Sequence, residues 1–185
     1  MKKNVVTIGM IVSAFLTSTV FAGGFKLTSP DLQQGKILNM EQVYNSFGCT
    51  GKNISPALKW EGALKNTKSF AVTVYDPDAP TGSGWWHWVI FNIPVNVTEL
   101  PKNAGDPASG LAPSGSIQSR TDFGTPGYGG ACPPQGDKPH RYIFTVYALD
   151  VDKLPLDTNV TAAMVGFNLS QHTLAKAMIT VHFSR

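Results

Sequence analysis

The segment from Phe70 to Pro94 constrains the fold more than any other, because it alternates, breaks on prolines and then resumes. From Phe70 to Tyr75 the residues Phe70, Val72 and Val74 share one parity, and Ala71, Thr73 and Tyr75 the other. A period of two predicts a strand. The run stops at Asp76-Pro77-Asp78-Ala79-Pro80, where each proline lacks a backbone donor and fixes φ, so the ladder cannot continue. Thr81-Gly82-Ser83-Gly84 is turn material, and Trp86 to Ile93 reads as a second strand. The whole predicts a hairpin with a long loop.

The polar residues fall where these strands meet the loop. Asp76 closes the first strand and His87 opens the second, and in an antiparallel pair those ends lie side by side. A carboxylate and an imidazole are therefore expected at one sheet edge, with Trp85, Trp86 and Trp88 around them. Two readings follow: a small polar pocket with aromatic walls, or an Asx turn at Asp76 and Asp78 over aromatic packing. A second strand start repeats the pattern. His140 to Leu149 alternates, which sets His140 and Tyr142 on one face with Phe144 and Val146, and Arg141 on the other. Between the two lies a long irregular region, Val95 to Asp137. Its most unusual part is Gly124 to Pro134, where glycines permit positive φ and a nest of N–H groups able to bind an anion.

With 18 Gly and 13 Pro in 185 residues, the chain favours a β-rich fold over a helix bundle. Short strands are also expected between Gly23 and Asn45 and at Leu58-Lys59-Trp60, with a last one from Met178 to Phe183. One short helix is expected from Ser170 to Ala177, with Ser170 as its cap. The N-terminus reads as a secretory signal peptide. Lys2 and Lys3 are followed by a mostly apolar run to Phe21, and Val20-Phe21-Ala22 supplies small residues at the cleavage positions. This divides the chain into residues 1–22, the signal, and 23–185, one domain. Removing Lys2 and Lys3 leaves 13 basic residues against 12 acidic, a net of +1, and no basic stripe that would suit a phosphate backbone. No later stretch is long and apolar enough to span a bilayer. In an exported chain the lone pair Cys49 and Cys132 reads as a disulfide rather than a metal site, with two buried free thiols as the alternative.

Asp76-Pro77-Asp78-Ala79-Pro80, Trp86-His87-Trp88, the Gly-rich run Tyr128 to Pro134 and His140-Arg141-Tyr142 occur in an order that resembles the phosphatidylethanolamine-binding protein family, also called Raf kinase inhibitor-like proteins. The segments Phe47-Gly48-Cys49 and Asn53-Ile54-Ser55-Pro56 resemble its bacterial branch, and the likeness runs from about Leu27 to the end of the chain. The resemblance implies an all-β fold with minor helix: two antiparallel sheets in a Greek-key sandwich, with short helices at the side near the C-terminus. It also implies a pocket for a small anionic or phosphorylated ligand, built from Asp76, Asp78, His87, Gly130, His140 and Tyr142, with Trp85 and Trp86 nearby. The chain departs from the common bacterial pattern at Ala131, where many members have Pro, and carries Trp88 at a variable aromatic position. Expected from this is an exported, periplasmic or secreted binding protein with no catalytic residues, cofactor or metal, acting on a protein partner whose identity the residues do not give. A homodimer is compatible with the sequence, and nucleic acid and stable membrane insertion are not expected. The alternatives are a metal-assisted hydrolase using the same Asp and His set, although no G-x-S-x-G elbow is present, and an exported protease or signalling inhibitor acting through its loops. The export reading makes one direct forecast: protein purified from the periplasm or medium begins at Gly23 by N-terminal sequencing, and an intact Met1 on that material rules it out.

Overall fold

The computed structural model describes residues 24–185, so the expected signal segment, residues 1–22, lies outside the described residues. Among the described residues eight strands form two antiparallel sheets. The smaller contains β1 (Lys26–Thr28), β2 (Leu58–Glu61) and β5 (Glu99–Leu100) in the order β1-β2-β5. The larger contains β3 (Ser69–Asp76), β4 (Trp85–Pro94), β6 (Ile117–Gln118), β7 (His140–Leu149) and β8 (Thr173–Phe183) in the order β6-β4-β3-β7-β8. Within it β7 returns by a long connection to lie beside β3, which gives the Greek-key order. The fold is the expected mostly-β sandwich with minor helix.

The period of two sorts the central strands between two cores. Phe70, Val72, Val74, Trp88, Ile90, Tyr142, Phe144 and Val146 face the smaller sheet and pack with Phe25, Leu27, Leu58, Trp60 and Leu100. Ala71, Val89, Phe91 and Leu149 face the other way, onto Leu154 and the helix residues Ala162, Val165 and Leu169. β3 is covered on both faces, so nearly every residue in it is buried. Burial of one large apolar side chain contributes about 1.5–3 kcal/mol, which makes these two layers the dominant stabilising term.

Two irregularities interrupt the β3–β4 ladder, and the sequence does not announce either. Phe70 pairs with Ile93 but Val72 with Ile90, so β4 carries an extra residue near Asn92, whose φ is 58°. The Asn92 amide exchanges two hydrogen bonds with the backbone of Leu154, which holds that bulge. Nearer the other end, Val74 pairs with Trp88 and Tyr75 with Trp86, leaving His87 without a partner across the ladder. A bulge adds local twist and turns side chains off the strict alternation.

The helix prediction is corrected. The single α-helix among the described residues, α1, runs Ala162–His172, capped by the Thr161 hydroxyl, and β8 starts at Thr173. Its buried residues, Ala162, Val165 and Leu169, follow helical spacing, but Met164 and Phe167 are 50% and 63% exposed. Those two apolar residues on the solvent face blur the period, and the helix passes into the strand without a loop. A 3₁₀ turn at Pro107–Ser109 is the other helical piece among the described residues.

Cys49 and Cys132 form the expected disulfide, with Cα atoms 5.9 Å apart and a sequence separation of 83. Chain-entropy arguments assign such a loop a stabilisation of about 4–5 kcal/mol. Non-reducing peptide mapping should show the Cys49–Cys132 pair, and the Cys49→Ser/Cys132→Ser protein should lose on the order of 2–5 kcal/mol in denaturant unfolding. Rapid labelling of two thiols in native, unreduced protein would contradict the bond.

Candidate functional site

The ends of β3, β4 and β7 meet at one corner of the larger sheet. Asp76, the last residue of β3, continues the parity of Val72 and Val74, and His140 and Tyr142 open the same face of β7. Strict alternation would direct His87 away from Trp88. The bulge overrides it, and the His87 ring lies 5.1 Å from the Tyr142 ring, centroid to centroid, in an edge-on contact. Three strands therefore supply an acid, two imidazoles and a phenol to one spot.

Asp76 is buried and fully engaged. One oxygen, Oδ1, accepts the N–H groups of Asp78 at 2.8 Å and Ala79 at 3.1 Å, while Oδ2 is 2.7 Å from His140 Nδ1. The Asx turn is present at Asp76: one oxygen shapes the turn and the other lies against an imidazole. His87 is held differently. Its Nδ1 lies 2.7 Å from the Gly129 carbonyl and 3.2 Å from that of Gly130. Carbonyls only accept, so Nδ1 carries the proton and Nε2 presents a lone pair. Burial holds the His87 pKa below the ordinary imidazole value, against the opposing pull of those carbonyls and of Asp76.

A cavity of about 220 Å³ opens over these groups. Its polar floor is Asp76, His87 and His140. Its walls are Phe47, Trp85, Phe123, Ala79, Pro80, Thr81, Cys132, Pro133 and Pro134. The disulfide thus ties together two loops that both wall the cavity. Arg185 adds a second tie, donating to the carbonyls of Pro133 at 2.6 Å and Gly48 at 2.9 Å. The Phe123 ring covers Gly129, where a Cβ would collide with it, and makes edge contacts with Trp85 and His87.

Of the residues the sequence assigns to the site, Asp76, His87, His140 and Trp85 line this cavity. The other four do not. Both Asp78 oxygens go to Arg141, as an ion pair at 2.7–2.9 Å that also takes the Arg141 N–H, and the guanidinium beside it holds the Asp78 pKa down at about 2. Gly130 donates its N–H to Asn53 Oδ1 at 2.7 Å, and its absent side chain lets it lie against the backbone of Gln42 to Tyr44. The expected nest is therefore reversed in polarity: the glycine segment offers carbonyls to His87 rather than N–H groups to a ligand. Tyr142 is buried behind the floor, its hydroxyl has no hydrogen-bond partner among the described residues, and burial, with Asp76, keeps it a protonated phenol. Trp86 stacks on Tyr75 and faces the helix side of the sheet. Ala131 and Trp88 are both buried core positions. Of the wall residues, Phe123 is not marked by any local pattern, whereas Phe47 and Pro134 lie in motif segments that the sequence does not assign to the site; the disulfide prediction was the available signal, since it brings the loops at Cys49 and Cys132 to one place.

Comparison with known proteins gives a consistent answer. A family model described as phosphatidylethanolamine-binding protein matches residues 28–184. YbcL of Escherichia coli (strain K12) is 52% identical over 169 residues, covering 91% of this chain and 92% of YbcL. YbhB of the same organism is 53% identical over 161 residues, covering 86% of this chain and 99% of YbhB. The crystal structure of E. coli YbcL, described as a new member of the mammalian PEBP family, matches with a TM-score of 0.86 at 51% identity over 88% of this chain and 99% of that one.

The state of His87 sets a pH dependence. Its pKa in the folded protein is depressed, so above about pH 6.5, the ordinary imidazole value, it is neutral whether the chain is folded or not. Below that value the unfolded chain takes up a proton that the folded one resists, and stability falls by up to about 1.4 kcal/mol per pH unit for this one group. His87→Asn keeps a donor near the position of Nδ1 and removes the titration. Stability curves of the two proteins should run parallel above pH 7 and converge between pH 6.5 and 5; parallel curves throughout would show that His87 does not titrate as its burial demands.

Proposed function

This chain belongs to the phosphatidylethanolamine-binding protein family, and from that premise we propose that it is an exported, non-enzymatic binding protein whose His87–His140 pocket receives a small phosphate-bearing headgroup and so modulates a partner protein. The observation that carries this reading is the pair of imidazoles, each with Nδ1 anchored to a buried acceptor, in the floor of a cavity of about 220 Å³. Anchoring Nδ1 leaves the Nε2 edge of each ring as the group available to a ligand. A neutral His87 accepts a hydrogen bond, so the pocket suits a phosphate with a proton on one oxygen better than a bare dianion. The mostly apolar walls suit the short carbon chain of a headgroup ester.

Export is supported by the disulfide and by the leader-like segment in the sequence, and no helix among the described residues is long and apolar enough to cross a membrane. The donor set favours binding over metal-assisted hydrolysis. Asp76 is committed to two N–H groups and one imidazole, and among the described residues no group of three or more His, Cys, Asp or Glu side chains is placed to hold a metal ion.

Calorimetric titration with phosphate and phosphoethanolamine tests the site. Wild-type protein should bind, and His87→Ala should weaken binding by about tenfold or more while the fold survives, since a hydrogen bond to a charged group is worth about 1.5–3 kcal/mol. Asp78→Asn, which removes a charge outside the pocket, should change affinity by less than about threefold, the range of an exposed ion pair. Equal affinities for wild type and His87→Ala would remove His87 from the site, and no binding to wild type would leave the reading without support.

A further inference from the structure

A second cavity, of about 520 Å³, adjoins the histidine pocket at Phe123, the one residue that lines both, and contains no imidazole. Four loop stretches build it: 44–45, 52–54, 103–107 and 121–129. They are tied to one another by hydrogen bonds. Asn53, at a φ of 56°, donates from Nδ2 to the Tyr128 carbonyl at 3.2 Å and accepts the Gly130 N–H at 2.7 Å. The buried Ser55 hydroxyl accepts the Gly105 N–H at 2.8 Å, and the Gly105 carbonyl accepts the Tyr128 N–H at 2.8 Å. Gly127, at a φ of 101°, lies against Pro107 and the Gly105 carbonyl, where a Cβ would collide. The segment Asn53-Ile54-Ser55-Pro56, which lines no part of the histidine pocket, thus holds this cavity together. A cavity shaped before its ligand arrives loses less conformational entropy on binding.

The lining is polar and nearly free of uncommitted charge. Asn45, Asn103 and Thr125 bring amides and a hydroxyl. The one cation among the lining residues, Lys52, is drawn to Glu41 Oε1 at 3.3 Å. The one acid, Asp106, uses Oδ1 to accept the Ala108 N–H at 2.9 Å and has Oδ2 to offer. Tyr44 and Phe123 add two aromatic rings with centroids 4.5 Å apart. We propose that this cavity is a second binding site, separate from the histidine pocket, and that it takes a neutral carbohydrate of one or two pyranose rings. A sugar hydroxyl both donates and accepts, which matches amides and a carboxylate oxygen. The C–H face of a pyranose is apolar and packs on an aromatic ring. The volume falls within the range of about 300–1,000 Å³ found for small-molecule sites. A bare anion would meet Asp106 with no uncommitted cation to offset it. An apolar ligand would strip water from the amides and replace none of their hydrogen bonds.

Maltose, cellobiose and N,N′-diacetylchitobiose are neutral disaccharides that differ in linkage and substituent, and they serve as probes. Each is titrated into isotope-labelled protein and followed by two-dimensional amide NMR, with glycerol as the control polyol. At least one disaccharide should shift the amide signals of Gly105, Asp106, Gly127 and Gly129 saturably, and leave those of Ala79 and His140 in place. Asn45→Ala and Asp106→Asn alter exposed side chains, and the asparagine keeps a carbonyl oxygen to cap Ala108, so both variants should fold. Each should weaken the disaccharide by about threefold or more, the range of one hydrogen bond. Phosphoethanolamine affinity, read by calorimetry, should be the same in Asn45→Ala as in wild type. No saturable shift with any of the three disaccharides overturns the proposal. So does an equal response to glycerol, or an undiminished one in the double variant Asn45→Ala/Asp106→Asn. Shifts centred on Asp76, His87 and His140 also overturn it, by placing the sugar in the other pocket. None of these outcomes bears on the phosphate titration, which tests the histidine pocket by itself.

Discussion

The corner of the sheet depends on the contact between Asp76 and His140. The acid ends β3 and the imidazole begins β7, so one 2.7 Å contact joins two neighbouring strands at the point where their backbone ladder runs out. The other Asp76 oxygen closes the turn that leads away from β3. Neither residue could be removed alone without cost. A buried carboxylate left without its partner is penalised by several kcal/mol, on the order of 3–5 for a broken buried pair. The pair thus fixes three things together: the strand ends, the exit of the Asp-Pro-Asp turn, and the orientation of one ring in the pocket.

The second ring is positioned by a defect in the ladder. His87 is the unpaired residue of a bulge, and its ring is steered by two carbonyls from a segment more than forty residues away. That segment must approach closely, which is why Gly129 and Gly130 lack side chains there: one is covered by Phe123 and the other lies on the backbone of Gln42 to Tyr44. The two imidazoles are consequently unlike. His140 has a carboxylate behind it and another at its front, whereas His87 has only carbonyls behind it and is pushed toward neutrality by burial.

Much of this was legible in the residues, for identifiable reasons. β7 was read to its true ends, because ten alternating residues leave no competing period. The Asp76 and His87 meeting was legible because an antiparallel hairpin forces it. Three things were not. Bulges leave no periodic trace, so the direction of His87 could not be derived from its position in the strand. The helix was displaced by about eight residues at its start, because Met164 and Phe167 place apolar side chains on the solvent face. And the roles of Asp78, Gly130 and Tyr142 depend on partners that come from elsewhere in the chain, namely Arg141, Asn53 and the buried space behind His87. Motif and order located these residues near the site; only the fold separates those that line it from those that hold it.

The walls explain how so small a pocket keeps its shape without being buried in the core. Strands supply the floor, but the lip comes from loops, and loops are ordinarily the mobile part of a domain. Here the lip contains Pro80, Pro133 and Pro134, whose φ is already restricted, and Cys132, which is covalently tied to the loop that bears Phe47. Arg185 joins the same two loops a second time through their carbonyls. A site whose walls are ordered before the ligand arrives loses less conformational entropy on binding. The exception is the turn at Asp137, which has neither a proline nor a cross-link at the contacting residue and holds its side chain half in water.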